Sequence, residues 1–398
     1  MSRHMVIAGG GILGLATAHQ ITATYPGTKI TVLEKETQVG LHQSGSNSGV
    51  IHSGIYYQPG SLKATNCKQG RRLMETFCRE QEIPFEICGK VIVAVHESEQ
   101  ERLENIYQRG QKNGVSCELI SRERLCEIEP HTAGIRAIHV PQAGIVDYRA
   151  VCDRLAQLIQ QRGGEIQTQT KVHRIEKRGN TVHVETNQGD FKGDYFINCT
   201  GIYCDRIALK TGHRSPAKNI PFRGEYYELK PSAFHLCNHL IYPVPNPQFP
   251  FLGVHFTRMI DGRFECGPNA VLAFAREGYR KRDINLFDLM ETLTYPGFLR
   301  LAMKHWRMGS GEMWRSFSKQ AFVKALQRLV PSVKSSDLTT GRSGVRSQAL
   351  DRQGTLVDDF IILDSDRIIN VCNAPSPAAT SSLKIGETIV ERLSQQLS

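Results

Sequence analysis

The strongest constraint on this chain is a set of glycines that closes its first apolar stretch. Met5-Val-Ile-Ala8 reads as a buried strand and stops at Gly9-x-Gly11-x-x-Gly14. A helical pattern follows through Ala16, Ala18, His19 and Ile21. Glycines at this spacing permit a tight turn, close backbone approach to a pyrophosphate, and packing of the helix on the strand. The helix start offers unpaired N–H groups and the positive dipole end to a phosphate. Glycine triplets are common, so context decides. A second apolar strand, Lys29-Ile-Thr-Val-Leu33, ends at Glu34, where an acid takes a ribose hydroxyl, and the unit fits a βαβ of about 30 residues. The pattern predicts an adenine dinucleotide site.

A chain of 398 residues with 40% hydrophobic and 22% charged residues has room for two domains with large cores. Its apolar runs fall short of the roughly 18 residues a transmembrane helix needs. The first strand begins almost at the N-terminus, which leaves no room for a signal peptide. The eleven cysteines include no Cys-x-x-Cys pair, so the expectation is reduced thiols in the cytoplasm, without a disulfide framework or a metal site. The net charge of +10 gathers in Arg276, Arg280, Lys281 and Arg282, and again in Lys304, His305, Arg307 and Arg315. Two readings stay open: a solvated basic face, or peripheral docking on the anionic inner face of a cell membrane. With no aromatic-basic interleaving, nucleic acid is not an expected partner.

After Glu34 comes a polar loop, His42-Gln-Ser44-Gly-Ser-Asn47-Ser48-Gly49-Val50-Ile51-His52-Ser-Gly-Ile55-Tyr56-Tyr57-Gln-Pro-Gly60. Its small residues admit backbone close to a ring system, and its apolar residues must pack on something, which a linker would not. Ser61 reads as the N-cap of a helix through Leu62, Ala64, Cys67, Leu73 and Phe77. A strand at Lys90 to His96 and helices over 99–112 and 149–161 follow, and 165–169, 171–178 and 181–185 alternate like antiparallel strands. Asp194 to Thr200 is another buried strand, which ends at Gly201 and runs into a helix. From Lys218 the texture becomes antiparallel, with strands at 223–229, 240–243, 251–258 and 263–267. Helices span 286–329, with breaks expected at Pro296 and at Gly309 and Gly311. Parallel texture is expected to return from Gly341, with a last helix whose first turn holds Pro377. The expected fold is α/β: a discontinuous Rossmann-like unit (1–85, 145–217 and 340–398) and a mixed, mostly antiparallel substrate unit (86–144 and 218–339).

The loop 42–60, the joint Thr200-Gly201, Pro221-Phe-Arg-Gly-Glu-Tyr226, Gly253-Val-His-Phe-Thr-Arg-Met-Ile-Asp-Gly262, Gly267-Pro-Asn-Ala270 and Asn373-Ala-Pro-Ser-Pro-Ala-Ala-Thr380 together resemble the L-2-hydroxyglutarate dehydrogenases (oxidases) of the D-amino-acid-oxidase superfamily. The resemblance spans the chain, and Asn47 to Tyr57 is its most specific part. It implies a D-amino-acid-oxidase-like fold and non-covalent FAD. It also implies oxidation of L-2-hydroxyglutarate to 2-oxoglutarate, with electrons passed to quinone or oxygen. On this basis Gly9, Gly11, Ile12, Leu13 and Gly14 serve the phosphates, Glu34 the ribose, and Lys35 flanks the adenosine. Ser44, Asn47, Ser48, Gly49, Val50 and His52 follow the ribityl chain and flavin ring, Val172 lies near adenine, and Thr200 and Gly201 lie under the pyrophosphate. Arg346, Ser376, Pro377, Ala378, Ala379 and Thr380 complete the flavin site, the last helix aiming its N-terminus at the ring.

Oxidising a 2-hydroxy diacid requires two carboxylate anchors and an acceptor for the hydroxyl proton; arginine forks suit the first and histidine the second. Arg223, Arg258 and Arg346 are the candidate anchors, each also readable as half of a structural ion pair. His255, mid-strand, is the expected base and His52 a contact to flavin or substrate. Tyr57, Thr257 and Asn269, with Tyr56, are candidate polar contacts. An amino acid or glycerol 3-phosphate as substrate, a flavin-dependent nucleic-acid-modifying activity, and a plain NAD dehydrogenase stand as alternatives.

Overall fold

The opening strand, His4–Ala8, pairs in parallel with Lys29–Leu33 on one side and Tyr195–Asn198 on the other. These observations come from a computed structural model that describes residues 3–245 and 252–397. Phe251, where one antiparallel strand was expected to begin, lies outside the described residues, as do 1, 2 and 398 at the ends of the expected nucleotide unit. The six-stranded sheet runs Ile361–Ser365, Ile368–Asn373, Tyr195–Asn198, His4–Ala8, Lys29–Leu33, Glu165–Gln167. Met5 and Ile7 pack against helices Ile12–Thr24, Tyr148–Gln161 and Ser382–Leu397. Val6 and Ala8 pack on the opposite side with Val172, Val182 and Val184 of a three-stranded sheet. Burial on both faces is why these strands read as unbroken apolar runs.

Three local expectations change here. Glu165–Gln167 is not part of the antiparallel group but a parallel edge strand, because the helix before it returns the chain as a crossover. The third strand of the small sheet, Gly189–Gly193, was not foreseen, since Gly-Asp-Phe-Lys-Gly carries no apolar alternation. Ile361–Ser365 runs antiparallel to Ile368–Asn373.

The larger sheet runs Val271–Leu272, Ala217–Leu229, Phe264–Gly267, His255–Arg258, Leu240–Pro243, Lys90–Ala94, Arg136–Val140, Glu118–Ser121. Leu338–Asp351 lies antiparallel along Ala217–Leu229. Parallel texture therefore does not return at Gly341, and the boundary expected at 340 cuts through a strand of this sheet. Val91, Val93, Ile241, Phe256 and Cys266 pack on one face against Phe322, Val323 and Leu326 of helix Lys319–Leu326. Strand alternation then puts Lys90, Tyr242, His255 and Thr257 on the other face.

Helix Pro296–Phe317 passes through Gly309 and Gly311 without a break, and its one non-helical residue is His305 (φ −120°, ψ 22°). Gly309 is exposed and Gly311 partly so, and a glycine in a solvated helix costs only about 1 kcal/mol. The first basic cluster is also not all surface. Arg276 is 2% exposed and holds Asp205 at 2.5 and 2.9 Å and Glu291 at 3.1 Å. Arg206 adds Asp288 and Glu291 to the same network. The network ties helix Cys204–Lys210, which leaves the parallel sheet, to helix Leu286–Leu293. Arg276→Ala is expected to cost about 3–5 kcal/mol, read as a shift of the urea midpoint, because Asp205 stays buried without its partner. A loss under about 1 kcal/mol contradicts this role.

Candidate active site

The glycine turn is held by the second strand–turn–helix joint. Gly9 has φ +106°, and a Cβ there would sit 2.4 Å from the Cys199 carbonyl oxygen and 3.1 Å from the Thr200 Cα. A Cβ on Gly14 would sit 2.0 Å from the Gly9 carbonyl. Neither position accepts another residue, and Thr200-Gly201 is thereby pressed onto Gly9 to Gly14. Glu34 is built into the turn: Oε2 accepts from the Gly10 N–H at 2.8 Å and Oε1 from the Glu36 N–H at 2.9 Å. Each oxygen keeps a lone pair, so the carboxylate can still take ribose hydroxyls.

The loop 42–60 folds over this turn. The Ser44 hydroxyl accepts from the Ile12 N–H at 2.9 Å, at the start of the first helix, and Leu13 beside it is partly buried. The Asn47 amide donates to the Gln43 and Ser44 carbonyls at 3.0 and 2.7 Å and accepts from the Gly49 N–H at 2.8 Å. Ser48 is half-buried between them. Val50 is tied into a short strand with Ile145. Val172 starts its strand two residues after Thr170, whose N–H donates to the Glu34 carbonyl at 2.7 Å, which keeps Val172 near the expected ribose end. Buried hydroxyls of Ser53, Ser381 and Ser382 have no hydrogen-bond partner. A phosphate-ready turn, an acid with spare lone pairs and orphaned hydroxyls near the far end of the loop fit an extended dinucleotide such as FAD.

Two expectations for this site are corrected. Lys35 does not reach out to flank an adenosine: its ammonium is bound by Glu36 and by Glu277 at 2.6 Å, and it lies 5.6 Å from the Tyr203 ring centroid. The stretch Ser376, Pro377, Ala378, Ala379, Thr380 forms turns, and the last helix starts at Ser382 rather than at Pro377. Within this stretch the Thr380 hydroxyl accepts from the His52 N–H at 3.1 Å and pairs with the Tyr148 hydroxyl at 2.9 Å, which ties this turn to the loop.

Beyond Thr380 the two histidines share one electrostatic environment. The His255 ring lies 4.1 Å from the Tyr242 ring, and its Nδ1 is 2.9 Å from the Gly253 carbonyl oxygen. A carbonyl can only accept, so Nδ1 carries the proton and Nε2 keeps the lone pair. Burial lowers the His255 pKa to about 3, with Arg346 and Lys90 pushing the same way and the Gly253 bond opposing. Burial also lowers His52 to about 3, helped by Lys90, His255, Lys63 and Arg346. Both rings are neutral at physiological pH and sit in one positive field.

That field has two sources without a carboxylate partner within 4.0 Å among the described residues. Arg346, on Leu338–Asp351, lies beside Tyr226, whose phenol burial pushes up. Lys90 is 1% exposed, and burial lowers its pKa to about 8. Its ammonium lies 4.7 Å from the Tyr56 ring centroid and 5.0 Å from that of Tyr242. Sequence reasoning missed Lys90 because Lys-Val-Ile-Val-Ala looks like an apolar strand with a solvent-facing first residue. The usable signal was its parity with Ile92 and Ala94, both buried. The Tyr56 hydroxyl and Thr257 Oγ1 are buried without hydrogen-bond partners in the same region. Tyr57 carries Lys63 4.8 Å from its ring, and Lys63 is spent on Asp358 at 2.5 Å.

The other expected anchors are structural. Arg223 gives Nε and Nη2 to Glu225 at 3.1 and 3.0 Å and Nη1 to the Gly278 and Arg280 carbonyls. Asn269 accepts from the Glu225 N–H at 2.8 Å and donates to its carboxylate at 2.9 Å. Arg258 forks onto Glu86 at 2.8 and 2.9 Å. Each of these three is already engaged inside the chain, so a substrate carboxylate would have to compete with Glu225 or Glu86 for it.

Over residues 4–392 the chain matches the DAO family, FAD dependent oxidoreductase, which places it in that class and makes FAD its cofactor. Its structure is similar to FAD-bound L-alpha-glycerophosphate oxidase from Mycoplasma pneumoniae (TM-score 0.81, 24% identity, 99% of this chain and 95% of that one). It is also similar to glycine oxidase from Geobacillus kaustophilus (TM-score 0.75, 17% identity, 99% and 96%). In sequence it is 50% identical over 393 residues to an L-2-hydroxyglutarate dehydrogenase of Indibacter alkaliphilus, covering 98% of both chains. It is 45% identical over 389 residues to that of Escherichia coli K12, covering 98% of this chain and 92% of the other. The chain belongs to the L-2-hydroxyglutarate dehydrogenase family.

A histidine held near 3 stays unprotonated through mild acid. The kcat/KM profile is therefore expected to be flat from about pH 7 down to about pH 5.5. An acid limb with an apparent pKa near 6.5 would show an ordinary solvated histidine instead.

Proposed function

We propose that this chain oxidises L-2-hydroxyglutarate to 2-oxoglutarate. The observation that carries the reading is a neutral His255, its Nδ1 proton pinned by the Gly253 carbonyl, beside an arginine with no internal acid. Arg346 takes the carboxylate next to the reacting carbon, its fork matching both oxygens. His255 Nε2 accepts the hydroxyl proton as the C2–H bond breaks and the C=O bond forms. Bound FAD supplies the hydride acceptor. His52, also neutral and held by Thr380 through its backbone, keeps the second ring available as a contact without adding charge. An amine substrate would favour an acidic or carbonyl cage at this position, and the surplus of positive charge disfavours it.

Mixing holoenzyme anaerobically with each enantiomer of 2-hydroxyglutarate tests this. The L form is expected to bleach the flavin and the D form not; failure of the L form refutes the substrate assignment. His255→Ala should slow that bleaching by about 10²–10⁴-fold, and a parental rate would move the base elsewhere. Arg346→Ala should weaken substrate binding by about 2–5 kcal/mol, and an unchanged KM would exclude it as the anchor.

We further propose a membrane quinone as electron acceptor, reached by docking on an anionic bilayer. No helix among the described residues is long and apolar enough to cross a membrane. Helices Leu286–Leu293 and Pro296–Phe317 instead expose Phe287 (68%), Met303 (69%), Trp306 (63%) and Trp314 (65%), close in sequence to exposed Arg282, Arg300, Lys304 and Arg307. Exposed aromatic and aliphatic side chains with a few cations beside them suit the headgroup boundary. The protein should float with anionic vesicles and lose that binding in Trp306→Ser/Trp314→Ser. Equal recovery with zwitterionic vesicles, or none with either, contradicts docking by charge.

A further inference from the structure

We infer that Lys90 is the anchor for the distal carboxylate and so the residue that makes the site select a diacid. The inference rests on the reading of L-2-hydroxyglutarate as substrate and names the second anchor that reading requires. Of the arginines expected to share this task, Arg223 and Arg258 are consumed by Glu225 and Glu86. Lys63, the other lysine near the histidines, is consumed by Asp358. Lys90 remains. It is fully buried, faces no carboxylate among the described residues, and is held only between the rings of Tyr56 and Tyr242.

A buried ammonium with ring faces for company is under-compensated, because cation–π contact offsets only part of the desolvation cost. An incoming carboxylate supplies the missing partner. Sheet order sets the direction. Counting along the sheet, the His255 strand lies between the Lys90 strand, two positions away on one side, and the Arg346 strand, three positions away on the other. The two unpaired cations thus approach His255 from opposite sides, as a substrate with its reacting carbon near one carboxylate and a second carboxylate beyond two methylenes requires. Tyr242 bridges the distance: its ring packs on His255 at 4.1 Å and meets the Lys90 ammonium at 5.0 Å, an aromatic floor suited to those methylenes. The unpartnered Tyr56 hydroxyl offers a neutral donor in the same region.

The test compares L-2-hydroxyglutarate with L-2-hydroxyvalerate, which keeps five carbons and the first carboxylate but ends in a methyl. In the parent holoenzyme, glutarate is expected to inhibit far more strongly than butyrate, and equal inhibition overturns the inference without any variant. Lys90→Met should lower kcat/KM for L-2-hydroxyglutarate about a hundred-fold relative to L-2-hydroxyvalerate, mostly through KM, so that the preference for the diacid is lost. Lys90→Gln gives a second, polar replacement should the first not fold. Loss of both substrates in equal proportion, or retention of the diacid preference, refutes the role of Lys90. A parent enzyme that oxidises neither enantiomer of 2-hydroxyglutarate refutes the substrate reading instead.

Discussion

This active site turns on positive charge without an acid partner among the described residues, fully buried at Lys90 and partly buried at Arg346. Arg346 and Lys90 keep their cationic groups beside two imidazoles that burial and these same cations make neutral. Charges so placed oppose folding unless something offsets them, and a protein that could have paired them internally, as it pairs Arg223, Arg258, Arg263 and Arg276, has not. Retained strain of this kind marks where a ligand of opposite sign completes the structure. The same field keeps His255 neutral with its Nε2 lone pair free, and a bound dianion, by offsetting the cations, would make that nitrogen more basic.

The fold makes this placement possible by dividing labour between two sheets. The parallel sheet ends at the glycine turn, the Thr200-Gly201 joint and the Thr380 turn, so backbone groups gather along one line. The larger sheet presents alternate residues to that line and keeps the others in a core with Phe322 and Leu326. Two clamps hold the arrangement together. One is the Thr380 hydroxyl, which links His52 and Tyr148 across the site. The other is the ion-pair network of Arg276, Asp205, Arg206, Asp288 and Glu291.

Much of this was legible in the sequence wherever a physical requirement leaves few residue choices. Gly9 and Gly14 are dictated by backbone contacts that leave no room for a Cβ, Glu34 accepts from two backbone N–H groups of the same turn, and Lys29–Leu33 is bounded as its apolar run predicts. Arg346 and His255 stood out as polar residues in apolar strands. The same argument failed for Arg223 and Arg258, because sequence does not reveal that Glu225 and Glu86 sit opposite them. Lys90 escaped for the converse reason: a lysine opening a strand is ordinary until its neighbours across the sheet are known. The true membership of Leu338–Asp351 depended on long-range pairing, such as Arg346 opposite Phe222, that no local pattern encodes.

The central claim is that the site carries unpaired cations awaiting a dianion, and proton counting addresses it directly. Glutarate is titrated calorimetrically into holoenzyme at about pH 8, in buffers that differ in ionisation enthalpy. Burial holds Lys90 near 8, and a carboxylate brought to it raises that value, so binding should draw up to about half a proton from the buffer. Proton release, or heats that do not depend on the buffer, would show that no such cation receives the ligand.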